Sequence, residues 1–194
     1  VGLAVASGAV RVSGNNEDGK GVAIGTEVIF SPSLMAPIIA EARVQRASVA
    51  DGNVFFGFCD VNADDVAEPV TASGGTYTLA ASDLAGFSLN SQATDGDGWY
   101  MPYNGGSTIG VTTAANILSG ITAVAGEWDV LRIEIMPDGK VDWYINNVLE
   151  QSVAGAVSTT VLQACYVGCW GTTTTAASVD VDYLYVSANR DWTR

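Results

Sequence analysis

The chain is predicted to be an all-β protein, a two-sheet antiparallel β-sandwich, and three observations predict it. Stretches of β-branched and aromatic residues alternate with polar ones at period two; Gly, Asp and Asn clusters punctuate them; and no long helical period competes. The clearest stretch is residues 126–148. From Trp128 to Met136, Leu131, Ile133 and Ile135 lie on one face, while Trp128, Val130, Arg132, Glu134 and Met136 lie on the other. Pro137-Asp138-Gly139 turns the chain, and Lys140 to Val148 runs back, closed by a second turn at Asn146-Asn147. This hairpin suits the middle of an antiparallel sheet.

The remaining elements follow in order. Residues 3–13 read as an opening strand and Gly14 to Gly21 as a polar loop, with a second strand from Val22 to Phe30. Pro32 and Pro37 bracket a short connection. Ile38 to Ala47 then alternates, with Ile39, Glu41, Arg43 and Gln45 facing one way. Asp51-Gly52-Asn53 is a turn into Val54 to Cys59, the most apolar strand of the first half, and the two strands are expected to form a central hairpin. Asp60 to Gly75 reads as a loop holding a short helical turn at Asn62 to Glu68. Thr76 to Ala80, Phe87 to Asn90 and Thr108 to Ile117 read as strands, Ala93 to Gly106 as a Gly-rich loop, and Leu118 to Ala125 as a spacer. After the hairpin, Val161 to Thr172 is a strand with Tyr166 and Trp170 opposite Cys165, Val167 and Cys169, and Val179 to Val186 closes the sheet. No internal repeat or linker divides the chain, so residues 1–194 are expected to form a single domain.

Composition narrows the function classes. The formal net charge is −13, from 21 acidic against 8 basic side chains, which repels phosphate backbones and anionic lipid; neither nucleic acid nor a membrane is expected as partner. No run approaches the ~20 apolar residues of a membrane span. The opening VGLAVASGAV has no basic leader and does not read as a signal peptide. Three cysteines are an odd number. Cys165 and Cys169 stand roughly 13 Å apart along a strand, too far to bond each other. A bridge from Cys59 to either is sterically open, and buried free thiols are the expectation, which suits a reducing cytoplasm.

The order Trp128, Leu131 to Ile135, Asp138-Gly139 and Val141 to Asn147 resembles the late hairpin of concanavalin A-like jelly rolls, the fold of laminin-G-like domains, lectins and family 16 glucanases. Ala177 to Val186 resembles their last core strand. The chain also resembles jelly-roll structural proteins of tailed phages. That resemblance implies a non-enzymatic virion protein, a capsid decoration or fibre module on the virion surface, assembled in the host cytoplasm. It would contact capsid or other virion proteins and self-associate, with a trimer favoured. The alternative function is a carbohydrate-binding module that attaches to surface glycans.

The residues carry limited chemistry of their own. No histidine is present, which excludes Ser-His-Asp and Cys-His catalysis in their usual forms and removes the commonest zinc ligand. Glycoside hydrolysis needs two carboxylates about 5–10 Å apart. Family 16 enzymes carry theirs on one strand as Glu-x-Asp-x-x-Glu. Glu127-Trp128-Asp129 begins that way, but an acid is missing at the third position, Glu134 lies too far along, and Asp180 and Asp182 stand on a strand that is structural in the family. No enzyme is therefore expected. The binding candidate is the loop at Asp95 to Asn104. Trp99, Tyr100 and Tyr103 are candidates to stack on sugar rings, and Asp95, Asp97 and Asn104 to hydrogen-bond hydroxyls or offer hard oxygens to Ca²⁺, although no cofactor or metal is required. Trp192 with Arg190 on the polar terminus is the candidate partner anchor.

Overall fold

The computed structural model describes residues 3–4, 8–61, 68–110, 118–172 and 175–189. Two antiparallel sheets face each other. The first runs, in spatial order, β1 (Leu3–Ala4), β2 (Val10–Ser13), β16 (Ser178–Ser187), β4 (Ile38–Gln45), β12 (Trp128–Ile135), β13 (Val141–Ile145) and β14 (Val148–Val153). The second runs β11 (Leu118–Thr122), β9 (Gly98–Tyr100), β8 (Leu84–Asn90), β5 (Asn53–Cys59), β15 (Ala164–Trp170) and β3 (Gly21–Gly25), with β10 (Tyr103–Asn104) also paired to β8. A separate two-stranded ribbon, β6 (Val70–Ser73) and β7 (Thr76–Leu79), and a one-turn helix, α1 (Pro32–Met35), complete the described elements.

The expected hairpin is present, with Ile133 opposite Trp143 and Ile135 opposite Val141. Its second turn places Asn146 and Asn147 at φ 50° and 68°, the left-handed region that Asn tolerates better than most residues. The chain then continues into β14, a strand that the sequence reading did not separate. One expectation is corrected. Ile38 to Ala47 and Val54 to Cys59 do not form a hairpin, because β4 pairs with β12 and β16 whereas β5 pairs with β8 and β15. The Asp51-Gly52-Asn53 turn carries the chain from one sheet to the other. Each strand thereby buries its apolar face from opposite sides of one core. The loop expected at Ala93 to Gly106 contains β9 and β10, and the spacer expected at Leu118 to Ala125 contains β11. The helical turn expected at Asn62 to Glu68 and the strand at Thr108 to Ile117 fall largely outside the described residues.

The main core lies between the sheets, where Ala40, Ala42, Val44, Leu131, Ile133 and Ile135 meet Phe56, Phe58, Phe87, Leu89, Cys165 and Val167. Two tryptophans cross it in opposite directions. Trp143 of the first sheet donates its indole N–H to Gly86 O of the second at 3.0 Å, and Trp99 of the second donates to Asp129 Oδ2 of the first at 2.9 Å. Each buried ring thus also satisfies its polar atom, as burial of an indole requires. All three cysteines are buried free thiols. Burial pushes the Cys169 thiol up to about 11.

The two outer faces differ. On the second sheet, Phe55, Tyr100, Tyr166 and Trp170 are covered by Val70, Ala72 and Tyr77 of the ribbon, forming a second core. On the first sheet the outer face is open. Arg43 stacks on Trp128 at 4.7 Å and Arg132 on Tyr144 at 4.2 Å, while the Tyr183 hydroxyl donates to Glu41 at 2.6 Å. Four ion pairs lie here: Arg11–Asp180, Arg43–Asp182, Arg132–Glu134 and Lys140–Asp142.

Candidate functional site

One end of the second sheet's outer face carries buried polar residues, with Asn53 and Asn90 2% and 0% exposed. Asn53 and Asn90 terminate two otherwise apolar strands and are direct cross-strand partners. The side-chain Oδ1 of Asn90 accepts the Gln92 backbone N–H at 2.9 Å, which fixes the amide so that its NH₂ points toward Glu68 Oε1, 3.4 Å away. Asn53 Nδ2 donates to the same oxygen in a short contact. Glu68, only 8% exposed, is thus held by two amides at the edge of the ribbon.

Glu68 lines a pocket of about 400 Å³ together with Asp18, Gly19, Thr71, Ala80 and Gln92. The volume falls within the range of small-ligand sites. The polar loop after β2 supplies Asp18 and Gly19, pinned by Gly19 N–H to Gly171 O at 3.2 Å and Gly171 N–H to Lys20 O at 3.0 Å. The ribbon supplies Thr71, and the turn after β8 supplies Gln92. Burial raises the Glu68 carboxyl to about 8, opposed by the Asn53 hydrogen bond and aided by the negative charge of Asp18. At neutral pH the group carries its proton and can donate as well as accept. Beside it, Asn53 Oδ1 and Trp170 Nε1 are buried without a hydrogen-bond partner among the described residues. Such atoms mark unused polar capacity.

The residues expected at Asp95 to Asn104 are placed differently. Trp99, Tyr100 and Tyr103 are 1%, 0% and 4% exposed, so the expected sugar-stacking platform is corrected: their rings fill the interior. Trp99 packs edge-on to Phe87, Tyr100 lies 4.8 Å from Tyr77, and Tyr103 lies 6.0 Å from Trp143. The cause is that β9 and β10 are strands of the second sheet, not parts of a free loop. Asp95 and Asp97 remain at the surface and line a separate shallow depression of about 380 Å³ with Val49, Ala50, Ser91, Thr94 and Gly96. Hydrogen bonding with Asp97 lifts the Asp95 carboxyl above its ordinary value. Asn104 does not line that depression; its amide donates to Ala81 O at 3.4 Å. Among the described residues, no three His, Cys, Asp or Glu side chains are grouped to hold a metal ion. Asp129, half of the Glu127-Trp128-Asp129 start of a hydrolase-like motif, is occupied by the Trp99 indole and by Asn146 Nδ2 at 3.1 Å. Trp192 and Arg190 lie outside the described residues.

Reading the sequence missed Glu68, Asn53 and Asn90. The available signal was an Asn at one end of each of two largely apolar strands, NVFFGFC and LAGFSLN. In the sequence Asn53 reads as a turn residue and Glu68 as the last residue of a short helical turn.

No family model matches this chain. No curated protein matches it either. Solved structures do. The carbohydrate recognition domain of Emp46p in its potassium-bound form superimposes with a TM-score of 0.61 at 9% identity, over 93% of this chain and 82% of that one. A Bacillus licheniformis beta-glucanase gives 0.56 at 11% identity, over 97% and 82%. A glycosidic hydrolase gives 0.55 at 13% identity, over 91% and 76%. The expectation that this chain is not an enzyme is corrected by these findings, since its frame is shared with a glycosidic hydrolase and a beta-glucanase as well as with a carbohydrate recognition domain. The fold is the concanavalin A-like jelly roll, a two-sheet antiparallel sandwich.

Proposed function

We propose that this chain binds a glycan in the pocket bounded by Asp18, Glu68, Thr71 and Gln92. The observation that carries the reading is the pocket of about 400 Å³ between the ribbon, the Asp18-Gly19 loop and Gln92, with a buried, doubly hydrogen-bonded Glu68 in its wall. Sugar hydroxyls are donors and acceptors at once. A wall of carboxyl, carboxamide and hydroxyl groups answers both roles, and Asp18 selects against anionic sugars by charge repulsion. The similarity to a carbohydrate recognition domain supports this reading at the level of the fold. A setting on the exterior of a tailed-phage virion is supported by the sequence resemblance alone. A glycan array probed with the protein and with Glu68→Ala and Asp18→Ala variants tests the binding. Saturable binding to neutral glycans that both variants abolish is expected; undiminished binding by both removes the pocket from the account.

A second reading, glycoside hydrolysis in the same pocket, is favoured by one observation. Glu68, whose carboxyl burial raises to about 8, and Asp18 are two carboxyls lining the same space. Proton donor and carboxylate are the two parts that glycoside hydrolysis combines. Release of reducing ends from mixed-linkage or β-linked glucans, lost in Glu68→Gln, would favour it over binding alone.

A further inference from the structure

We propose that the open outer face of the first sheet is a self-association surface and that its partner is a second copy of this chain. The four ion pairs and Glu41 on this face take up four of the chain's 8 basic side chains and five of its 21 acidic ones. These nine side chains sum to −1, and the other charged residues of the chain to −12. With the negative excess concentrated outside this set, the face lets two copies approach with little of the repulsion that the net charge imposes.

The side chains present are those that anchor protein interfaces. Trp128, Tyr144, Tyr183 and Tyr185 are interleaved with Arg43 and Arg132, and Trp, Tyr and Arg are the residue types that dominate binding energy. Most are already fixed by the Arg43–Trp128 and Arg132–Tyr144 stacks and by the Tyr183–Glu41 bond, so docking orders little that is not ordered beforehand. Tyr185 is the free member, 55% exposed. The cross-strand register carries one continuous row from it, through Glu41, Arg132 and Tyr144, to the exposed Leu149 on the edge strand.

The area suffices. Six strands at about 4.8 Å spacing and eight residues at about 3.4 Å give a projected footprint on the order of 650 Å². Corrugation by the side chains brings the accessible area near the ~800 Å² per partner of a standard stable interface. A face that meets its own copy closes across a two-fold axis, which gives a dimer in place of the trimer expected from the phage resemblance. This inference is independent of the glycan reading, because the pocket lies beyond the opposite sheet.

The test is sedimentation velocity of the full chain from low-micromolar to submillimolar concentration, beside Tyr185→Asp and Arg132→Glu, with near-UV circular dichroism confirming the fold of each. A wild-type dimer whose dissociation constant rises about tenfold or more in both variants is expected. Unchanged glycan-array binding by the same variants would separate this face from the pocket. A wild type that stays monomeric throughout the range overturns the proposal and leaves the face to another protein or to a glycan. A dimer that neither variant weakens overturns it as well.

Discussion

Replacing Glu68 with Gln keeps the shape and the acceptor oxygen for Asn53 and Asn90 while removing the ionisable proton. The folded-state carboxyl titrates near 8 and its ordinary value is 4.5. A raised carboxyl favours folding below the ordinary value, where both states are protonated. As pH climbs toward 8 the unfolded chain loses its proton first, so stability falls by about 1.4 kcal/mol per pH unit and levels off above 8. Across the whole window Glu68 costs the folded state on the order of 5 kcal/mol, a large fraction of a domain's total stability. Burial is the first cause and the group is 8% exposed, so solvent screening does little to reduce the effect. Asp83, which burial raises to about 6, acts in the same direction between 3.8 and 6 and remains in the variant. Urea denaturation at about pH 5, 7 and 9 reads the difference. Wild type and Glu68→Gln should agree within about 1 kcal/mol near pH 5, and the variant should be more stable by several kcal/mol near pH 9. Parallel pH profiles would refute the reasoning, because they would mean that Glu68 ionises in the folded protein as it does in water.

Further outcomes follow from the core. Asp129→Ala leaves the Trp99 indole N–H buried without its acceptor and should cost about 1–3 kcal/mol in urea titration, with near-UV circular dichroism reporting the tryptophan. The three thiols at Cys59, Cys165 and Cys169 are fully buried, so a thiol reagent should modify none of them natively and all three in denaturant; native-state labelling at any one would show that its strand is less closed than described.

How much of this could be read from the chain depends on whether a signal is local. The hairpin of β12 and β13 was legible, because alternation, a Pro-Asp-Gly turn and an Asn-Asn turn mark its strands and turns without reference to anything distant. The pairing of β4 with β12 was not legible. Asp51-Gly52-Asn53 has the composition of a hairpin turn, and nothing within it records that the flanking strands cover opposite sides of a core. Trp99, Tyr100 and Tyr103 misled for a related reason: Gly and Asp around them suggest a loop, yet Tyr103 opposite Ala85 and Tyr100 opposite Ser88 make them sheet residues. The pocket was illegible because its lining, Asp18, Gly19, Glu68, Thr71, Ala80 and Gln92, comes from separated stretches of chain, and Asn53 and Asn90, which hold Glu68, from two more strands. Only the antiparallel pairing of β5 with β8 and the ribbon laid over them bring these places together.

The central claim is that the Glu68 pocket takes a glycan. Its most direct measurement is a ¹⁵N-resolved NMR titration with a neutral oligosaccharide that scores on the array, following the backbone amides of Asp18, Gly19, Thr71 and Gln92. Saturable shifts concentrated on these residues are what the account predicts. Shifts centred on Asp95 and Asp97, or on the outer face of the first sheet, would contradict it, as would a titration that moves no resonance.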